Sequence, residues 1–367
     1  MPPLIDGLAA TFGLSAVAAG ALTTLPVLLM GLFAPLAPVA ARRYGDSLVL
    51  AVAVGLIAVG TGARSVGGVA GLYAGTACAG IGIAVAGALL PALVRGRAPD
   101  RIGPVTGLYT AALISGALIA AAGTEPLRAT LGVSGQAVLA VWAGPALLAL
   151  ALWAAVASPR PTRGAASWAR PRLPWRSGPA WLGTLFMGLQ SLLFYATLAW
   201  LAADYIGLGM SARDAGLLLG VFSAAQIVTA LAMPALAHRT GSARVWVVVS
   251  VSLTILGLLL VAVAPLAAPW AWAALLGLGM GGCLSLALTV LTHLAPTPDA
   301  AAAYAGMAFF GGYLLAAAGP VAAGALHDAT GGFTAVFLAL AGLGVVTLAV
   351  GVAAVRSVGA ASAAGAG

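Results

Sequence analysis

Gly13-Leu14-Ser15-Ala16-Val17-Ala18-Ala19-Gly20 returns 196 residues further along the chain as Gly209-Met210-Ser211-Ala212-Arg213-Asp214-Ala215-Gly216. The correspondence continues without a gap. Pro38, Ala41, Arg43 and Gly45 return as Pro234, Ala237, Arg239 and Gly241, and 11 of the 33 aligned positions are identical. A weaker echo follows at an offset of 199, where Pro99-Asp100 and Gly107 match Pro298-Asp299 and Gly306. Each copy begins with the Gly and Ser that punctuate helix ends and then runs on as apolar sequence.

Composition says what the repeated units are. Hydrophobic residues make up 62% of the 367 and charged residues 7%, and the mean hydropathy is +1.10. So little charge cannot clothe a water-soluble domain of this size. A helix needs ~20 apolar residues to cross a bilayer, and the sequence predicts eleven such spans: 17–40, 47–63, 67–94, 103–123, 136–157, 181–203, 214–237, 244–265, 268–293, 301–325 and 333–355. Gly and Pro interrupt them freely, which membrane helices tolerate. Glycines such as Gly80 and Gly82, or Gly277, Gly279, Gly281 and Gly282, allow close helix packing. The predicted fold is therefore all-α and polytopic, with two pseudo-symmetric helix bundles. Residues 1–157 form the first bundle, 158–180 a linker, 181–356 the second bundle, and 357–367 a flexible tail.

The chain contains no lysine, so its 16 positive charges are all arginines. They fall between apolar runs and form no basic stripe, which excludes nucleic acid as the partner and leaves the lipid bilayer. The linker holds five arginines beside Pro159, Pro161, Pro171 and Pro174. With the linker in the cytoplasm, thirteen arginines lie inside and only Arg64, Arg128 and Arg213 outside, a strong positive-inside bias. Asp6, Glu125, Asp204, Asp214 and Asp328 lie on the outer side on this reading, and no acid falls mid-span. Cys78 and Cys283 lie in apolar runs and read as small core residues rather than a disulfide or metal pair. No phosphate loop, metal-ligand cluster or catalytic triad spacing is present, so neither a primary pump nor an enzyme is expected, and no cofactor or metal is required.

An odd number of spans follows from the repeat. The counterpart of 181–203 would end near residue 7, so residues 1–12 read as the tail of a first helix that is largely missing from the usual set of 12. Two related helix bundles around a central cleft are the architecture of a secondary transporter.

Particular residues now place the chain in a family. Leu22 to Pro38 followed by Arg42-Arg43-Tyr44-Gly45, Arg101 followed by Thr106-Gly107-Leu108-Tyr109-Thr110, Phe186 to Leu193 followed by Tyr195 and Ala199-Trp200-Leu201, Gly312-Tyr313 to Gly319-Pro320, and His327-Asp328-Ala329-Thr330-Gly331 together resemble the major facilitator superfamily. More narrowly they resemble its cyanate permease and 2-nitroimidazole transporter family, over nearly the whole chain. Three features depart from that pattern. The Asn-Leu-Arg-Pro-like stretch of the family's first helix is not in this sequence, Phe309 stands where a Gln is usual, and Arg42-Arg43 replaces an Asp-Arg loop.

The resemblance implies a small-solute carrier working by alternating access in a bacterial inner membrane, as a monomer, with protons as the candidate coupling ion. Cyanate-like anions and nitroimidazole-like heterocycles are the implied solutes. A multidrug-type exporter and an inactive truncated scaffold are the alternatives. Polar groups inside a bilayer are costly unless paired or facing water, which selects the candidate residues. Gln190, Ser191 and Tyr195 share one span at mid-depth, and they either bind solute or bond between helices. Ser285, Thr289 and Thr292 make a polar stripe, which either lines the cavity or turns its hydroxyls onto the backbone one turn earlier. Tyr109 and Tyr313 occupy corresponding helices and serve either as gates or as interfacial anchors. Trp200 and Arg64 are placed at the outer mouth. Arg42, Arg43 and Arg239, with Asp46 and Asp100 as partners, form a candidate cytoplasmic gate that also reads as topogenic charge attracted to anionic lipid.

Overall fold

The computed structural model describes residues 4–97, 102–156, 173–294 and 298–364. Among these residues the chain is helical throughout, with no strand. A short helix α1 (Ile5–Phe12) leads into α2 (Ala16–Phe33), which continues through one 3₁₀ turn into α3 (Ala37–Tyr44). Then come α4 (Asp46–Ala63), α5 (Gly68–Arg97), α6 (Ile102–Leu131) and, after a 3₁₀ segment at Ala137–Trp142, α7 (Ala143–Val156). Beyond the linker lie α8 (Gly178–Gly207), α9 (Ala212–Thr240), α10 (Ala243–Val263), α11 (Pro269–Leu294), α12 (Pro298–Thr330) and α13 (Thr334–Ala364).

Ten helical stretches among the described residues are long and apolar enough to cross a membrane. The predicted span 103–123 lies inside α6, whose 30 residues reach ~45 Å at 1.5 Å per residue. Residues 158–172 of the linker lie outside the described residues. The tail expected to be flexible from 357 is instead helical as far as Ala364, in keeping with the high helix propensity of its alanines.

The sequence repeat turns out to be cap chemistry. Gly13 and Gly209 both take positive φ, at 62° and 96°. Leu14 N–H donates to Ala9 O and Met210 N–H to Tyr205 O, each at 2.9 Å, closing the preceding helix in both copies. Ser15 Oγ then accepts from Ala18 N–H at 3.2 Å and Ser211 Oγ from Asp214 N–H at 3.1 Å. These are N-caps, satisfying donors that the first helical turn cannot. Gly45 and Gly241, again with positive φ, end the copies. Pairs 196 residues apart thus make the same bonds.

Glycine sets how the helices stack inside each half. A Cβ on Gly277 or Gly281 would overlap the backbone of α9 at Phe222 and Gln226, whereas one on Gly279 or Gly282 would run into Thr254 and Ser250 of α10. α11 is therefore wedged between α9 and α10. The first half repeats the arrangement. Gly80 of α5 meets Pro26 and Leu29 of α2, while Gly82 meets Ala53 and Ile57 of α4. The short helix α1 and the Leu4 before it bury Leu8 and Leu4 against Leu22, Leu72, Val138 and Leu139.

Helix ends form two faces of the molecule. Arg42, Arg43, Arg239, Arg244 and Arg356 lie towards one face, with the linker. Arg64, Arg128 and Arg213 lie towards the other, arginine-poor face. All five acids assigned to that second face stand on helices, Asp6 on α1 and Asp214 in the first turn of α9 among them. Glu125 belongs to α6 and is bonded to Arg128 at 2.8 Å, Asp204 is buried in the last turn of α8, and Asp328 is in the last turn of α12. The helices outlast the hydrophobic runs because the backbone ladder ends at a cap, not at the edge of the hydrocarbon. Across the two halves, α2 packs along α12 and α6 along α9.

Candidate functional site

α8 is the most enclosed of the long helices, and it carries four residues that line a cavity in the second half, beside its contact with α2. Gln190, Ser191, Phe194 and Tyr195 of α8 face Gln226 of α9, Met280 and Leu284 of α11, and Tyr313 of α12 across a space of about 60 Å³. That is room for a few water molecules. From the first half, Met30 of α2 approaches, with its Sδ 4.0 Å from the Tyr195 hydroxyl.

The polar groups are held in distinct ways. Gln190 Nε2 donates to Ser191 Oγ at 2.7 Å and to Met187 O at 3.1 Å. With its donors so engaged, the carboxamide keeps an acceptor oxygen to offer. Gln226 is different, because its side chain makes no hydrogen bond among the described residues. Its backbone is fixed by the close approach of Gly281. Aromatic rings complete the wall. Tyr195 lies edge-on to Phe194 at 5.0 Å and to Tyr313 at 6.5 Å, and Phe309 stacks on Tyr313 at 5.7 Å with planes 13° apart. Phe309, one of the departures from the family pattern, thus supports a cavity ring. No arginine or histidine lines the cavity among the described residues.

Gln190, Ser191, Tyr195 and Tyr313, chosen from sequence, therefore meet in one place. Other candidates lie elsewhere. Ser285 Oγ donates to Gly282 O at 3.2 Å and Thr289 Oγ1 to Ser285 O at 2.8 Å, so both hydroxyls serve their own helix. The cavity-facing edge of α11 is instead Met280 and Leu284, four residues apart. Thr289 lines a separate cavity of about 250 Å³ near the arginine-rich face, beside His238 and His293. The side chains of Thr292 and Tyr109 fall outside the described residues, as does all of Asp100.

Trp200 and Arg64 also lie outside the cavity. Trp200 is buried and its Nε1–H donates to Pro320 O at 2.9 Å. Arg64 follows the last residue of α4 and packs its stem on Gly75, and burial pushes its guanidinium below the ordinary arginine range. Arg42 and Arg43 crown the last turn of α3 and Arg239 that of α9, where cations complement helix carbonyls. Asp46 is buried in the first turn of α4, its carboxylate accepting from Ser47 N–H at 2.8 Å. Sequence reasoning missed Gln226, Phe194, Met280 and Leu284. Gln226 carried the same signal that singled out Gln190, a lone amide on a membrane helix.

Above the cavity, towards the arginine-poor face, the halves are pressed together. A Cβ on Gly20 of α2 would lie 2.6 Å from Pro320 O, and one on Gly324 of α12 would lie 2.6 Å from Ala16 O. The Trp200 indole fills the remaining space, stacked on His327 at 6.3 Å and tilted against Phe333 at 5.5 Å.

This architecture has relatives. Residues 180–364 match the family described as the Major Facilitator Superfamily. Over 353 residues the chain is 34% identical to the 2-nitroimidazole transporter of Escherichia coli (strain K12), covering 92% of this chain and 86% of that protein. The chain belongs to the major facilitator superfamily. Within it, the transporter YycB of Bacillus subtilis (strain 168) is 34% identical over 335 residues, covering 90% of this chain and 83% of that protein. The cyanate transport protein CynX of Escherichia coli (strain K12) is 29% identical over 332 residues, covering 90% and 86%. These likenesses join this superfamily member to the cyanate and 2-nitroimidazole transporter group, and it is a transporter of a small solute.

Solved structures share the fold. A bacterial homologue of the human lysosomal transporter Spinster superposes with a TM-score of 0.81 at 14% identity, covering 97% of this chain and 92% of that one. A mutant of the nucleoside transporter NupG superposes with a TM-score of 0.77 at 14% identity, covering 96% and 94%.

Proposed function

We propose that this superfamily member is a secondary transporter that moves a small, planar, polar heteroaromatic solute by alternating access. The chemistry of the cavity supports this reading. Two carboxamides and a serine hydroxyl can meet the donors and acceptors on the edge of a ring, while Phe194, Tyr195 and Tyr313 offer faces and edges to its π-system. A linear anion such as cyanate has no use for aromatic walls, and in a low-dielectric cavity it calls for a cation. A multidrug-type exporter calls for a broadly apolar cavity, whereas this one is lined by two carboxamides and a hydroxyl. The 2-nitroimidazole transporter, named for a planar azole, is the relative whose named substrate fits these walls.

The arginine-rich face is assigned to the cytoplasm of a bacterial inner membrane, and the sealed, arginine-poor face to the outside. Arg42, Arg43 and Arg239 then stand where a cytoplasmic gate would close. On the outer side the two halves meet closely, Gly20 against Pro320 and Gly324 against Ala16.

The test is uptake into proteoliposomes. Labelled 2-nitroimidazole is expected to enter saturably and to be displaced by unlabelled neutral azoles, with cyanate at the same concentration leaving uptake unchanged. Equal displacement by cyanate, or no saturable uptake of the azole, would remove the heterocycle reading.

A further inference from the structure

Asp328 sits in the last turn of α12, where the carbonyl end of its own helix disfavours a negative charge. Its carboxylate is turned to another helix. Ala16 N–H donates to Asp328 Oδ1 and Val17 N–H to Asp328 Oδ2, each at 3.2 Å, across 312 and 311 residues of sequence. These are the first two N–H groups of α2, in the opposite half of the molecule. Ser15 satisfies the next donor, Ala18 N–H. The N-terminus of α2 is thus capped by its own half and by the other half together. Around this contact the halves approach closely at glycines, Gly20 against Pro320 and Gly324 against Ala16, with Trp200 sealing the side.

We infer that Asp328 is an outer latch, a charged cap lent by the second half to the first, that holds the carrier closed on its arginine-poor face. Two features support it. A bond between carboxylate and backbone N–H is charge-assisted and stronger than a neutral one. It is also made only while α2 and α12 are together, so it distinguishes two conformations and biases their equilibrium. On opening, α2 loses two cap acceptors and α12 regains an acid at its carbonyl end, so both partners favour closure. The neighbouring His327 stacks on Trp200 beside the latch. The latch rests on the alternating-access reading but needs no particular solute.

Thiol accessibility tests it in the full chain reconstituted in oriented vesicles. Cys78→Ser and Cys283→Ser remove the native thiols. Ala323→Cys then reports the seam, since Ala323 is buried among α2, α8 and α12 and one turn inward of His327. A membrane-impermeant maleimide added outside is expected to label this thiol slowly. Asp328→Asn is expected to speed labelling on the order of tenfold, as a charge-assisted pair becomes neutral. Ala16→Pro deletes one donor at the first helical position, where proline is well tolerated, and is expected to speed it by a smaller factor. Ser15→Ala weakens α2 but leaves the cross-half contact, and is expected to label at the parent rate. Parent-rate labelling of both Asp328→Asn and Ala16→Pro would overturn the latch. Equal acceleration by Ser15→Ala would overturn it too, by reducing it to ordinary helix capping. Labelling is read without solute, so a failed azole uptake experiment leaves this result standing, and the reverse holds.

Discussion

Gly281→Val is expected to abolish uptake and to destabilise the protein by about 2–3 kcal/mol, the upper part of the range for overpacking a well-filled contact. A Cβ at this position overlaps the Gln226 carbonyl and lies 2.7 Å from Gln226 Cα and from Thr229 Oγ1. These are backbone and short side-chain atoms with nowhere to go, so α9 must move away from α11. Because Gln226 lines the cavity, the same displacement that costs stability also drags a binding amide out of position. Gly116→Val is the matched control. A Cβ there meets nothing within 4 Å, and its melting temperature in detergent and its uptake are expected to stay near the parent values. Similar melting temperatures for Gly281→Val and Gly116→Val would show that the α9–α11 contact is looser than described.

Gln190→Ala and Gln226→Ala are expected to separate binding from folding. Losing one hydrogen bond to a solute in a desolvated cavity costs about 1–1.5 kcal/mol, roughly a tenfold loss of affinity. Both variants should therefore lose about tenfold in kcat/KM for azole uptake. Their stabilities should differ. Gln190 donates to Ser191 and Met187, so its removal also leaves acceptors without a donor and lowers the melting temperature. Gln226 has no such internal bonds among the described residues, and its removal should leave melting unchanged. Parallel uptake kinetics and thermal unfolding decide the matter. Unchanged kcat/KM in Gln226→Ala would take that amide out of the solute path.

The repeat was legible because it consists of local signals. A glycine in the left-handed region and a serine that caps the next turn are short-range chemistry, so Ser15 and Ser211 declare two copies of one structure before any packing is known. Apolar runs declared the spans for the same reason. Helix ends were read short at Asp204, Glu125 and Asp328, because hydropathy reports where hydrocarbon stops and not where the backbone ladder stops.

Which face of a helix meets a cavity was only partly legible. A lone amide or tyrosine among apolar residues stands out, and Gln190, Tyr195 and Tyr313 were found that way. The stripe Ser285, Thr289, Thr292 has a helical period too, but period alone does not fix rotation. A turn of ~100° per residue puts Leu284, not Ser285, on the cavity, and the hydroxyls of Ser285 and Thr289 close onto carbonyls of their own helix. The partnership of Asp328 with Ala16 and Val17 leaves no local trace at all, since it exists only once two helices more than 300 residues apart are brought together.

The central claim is that two rigid halves rock about the cavity, one face opening as the other closes. Distances between paired spin labels in lipid nanodiscs test this most directly. Val66 and Leu266, both exposed near the arginine-poor face, make one pair, and the exposed Tyr44 and Thr240 near the arginine-rich face make the other. On adding saturating azole, or in Asp328→Asn, a longer distance should grow in the first pair while a shorter one grows in the second. Distances that stay single and unchanged in both pairs, or that lengthen together, would contradict it.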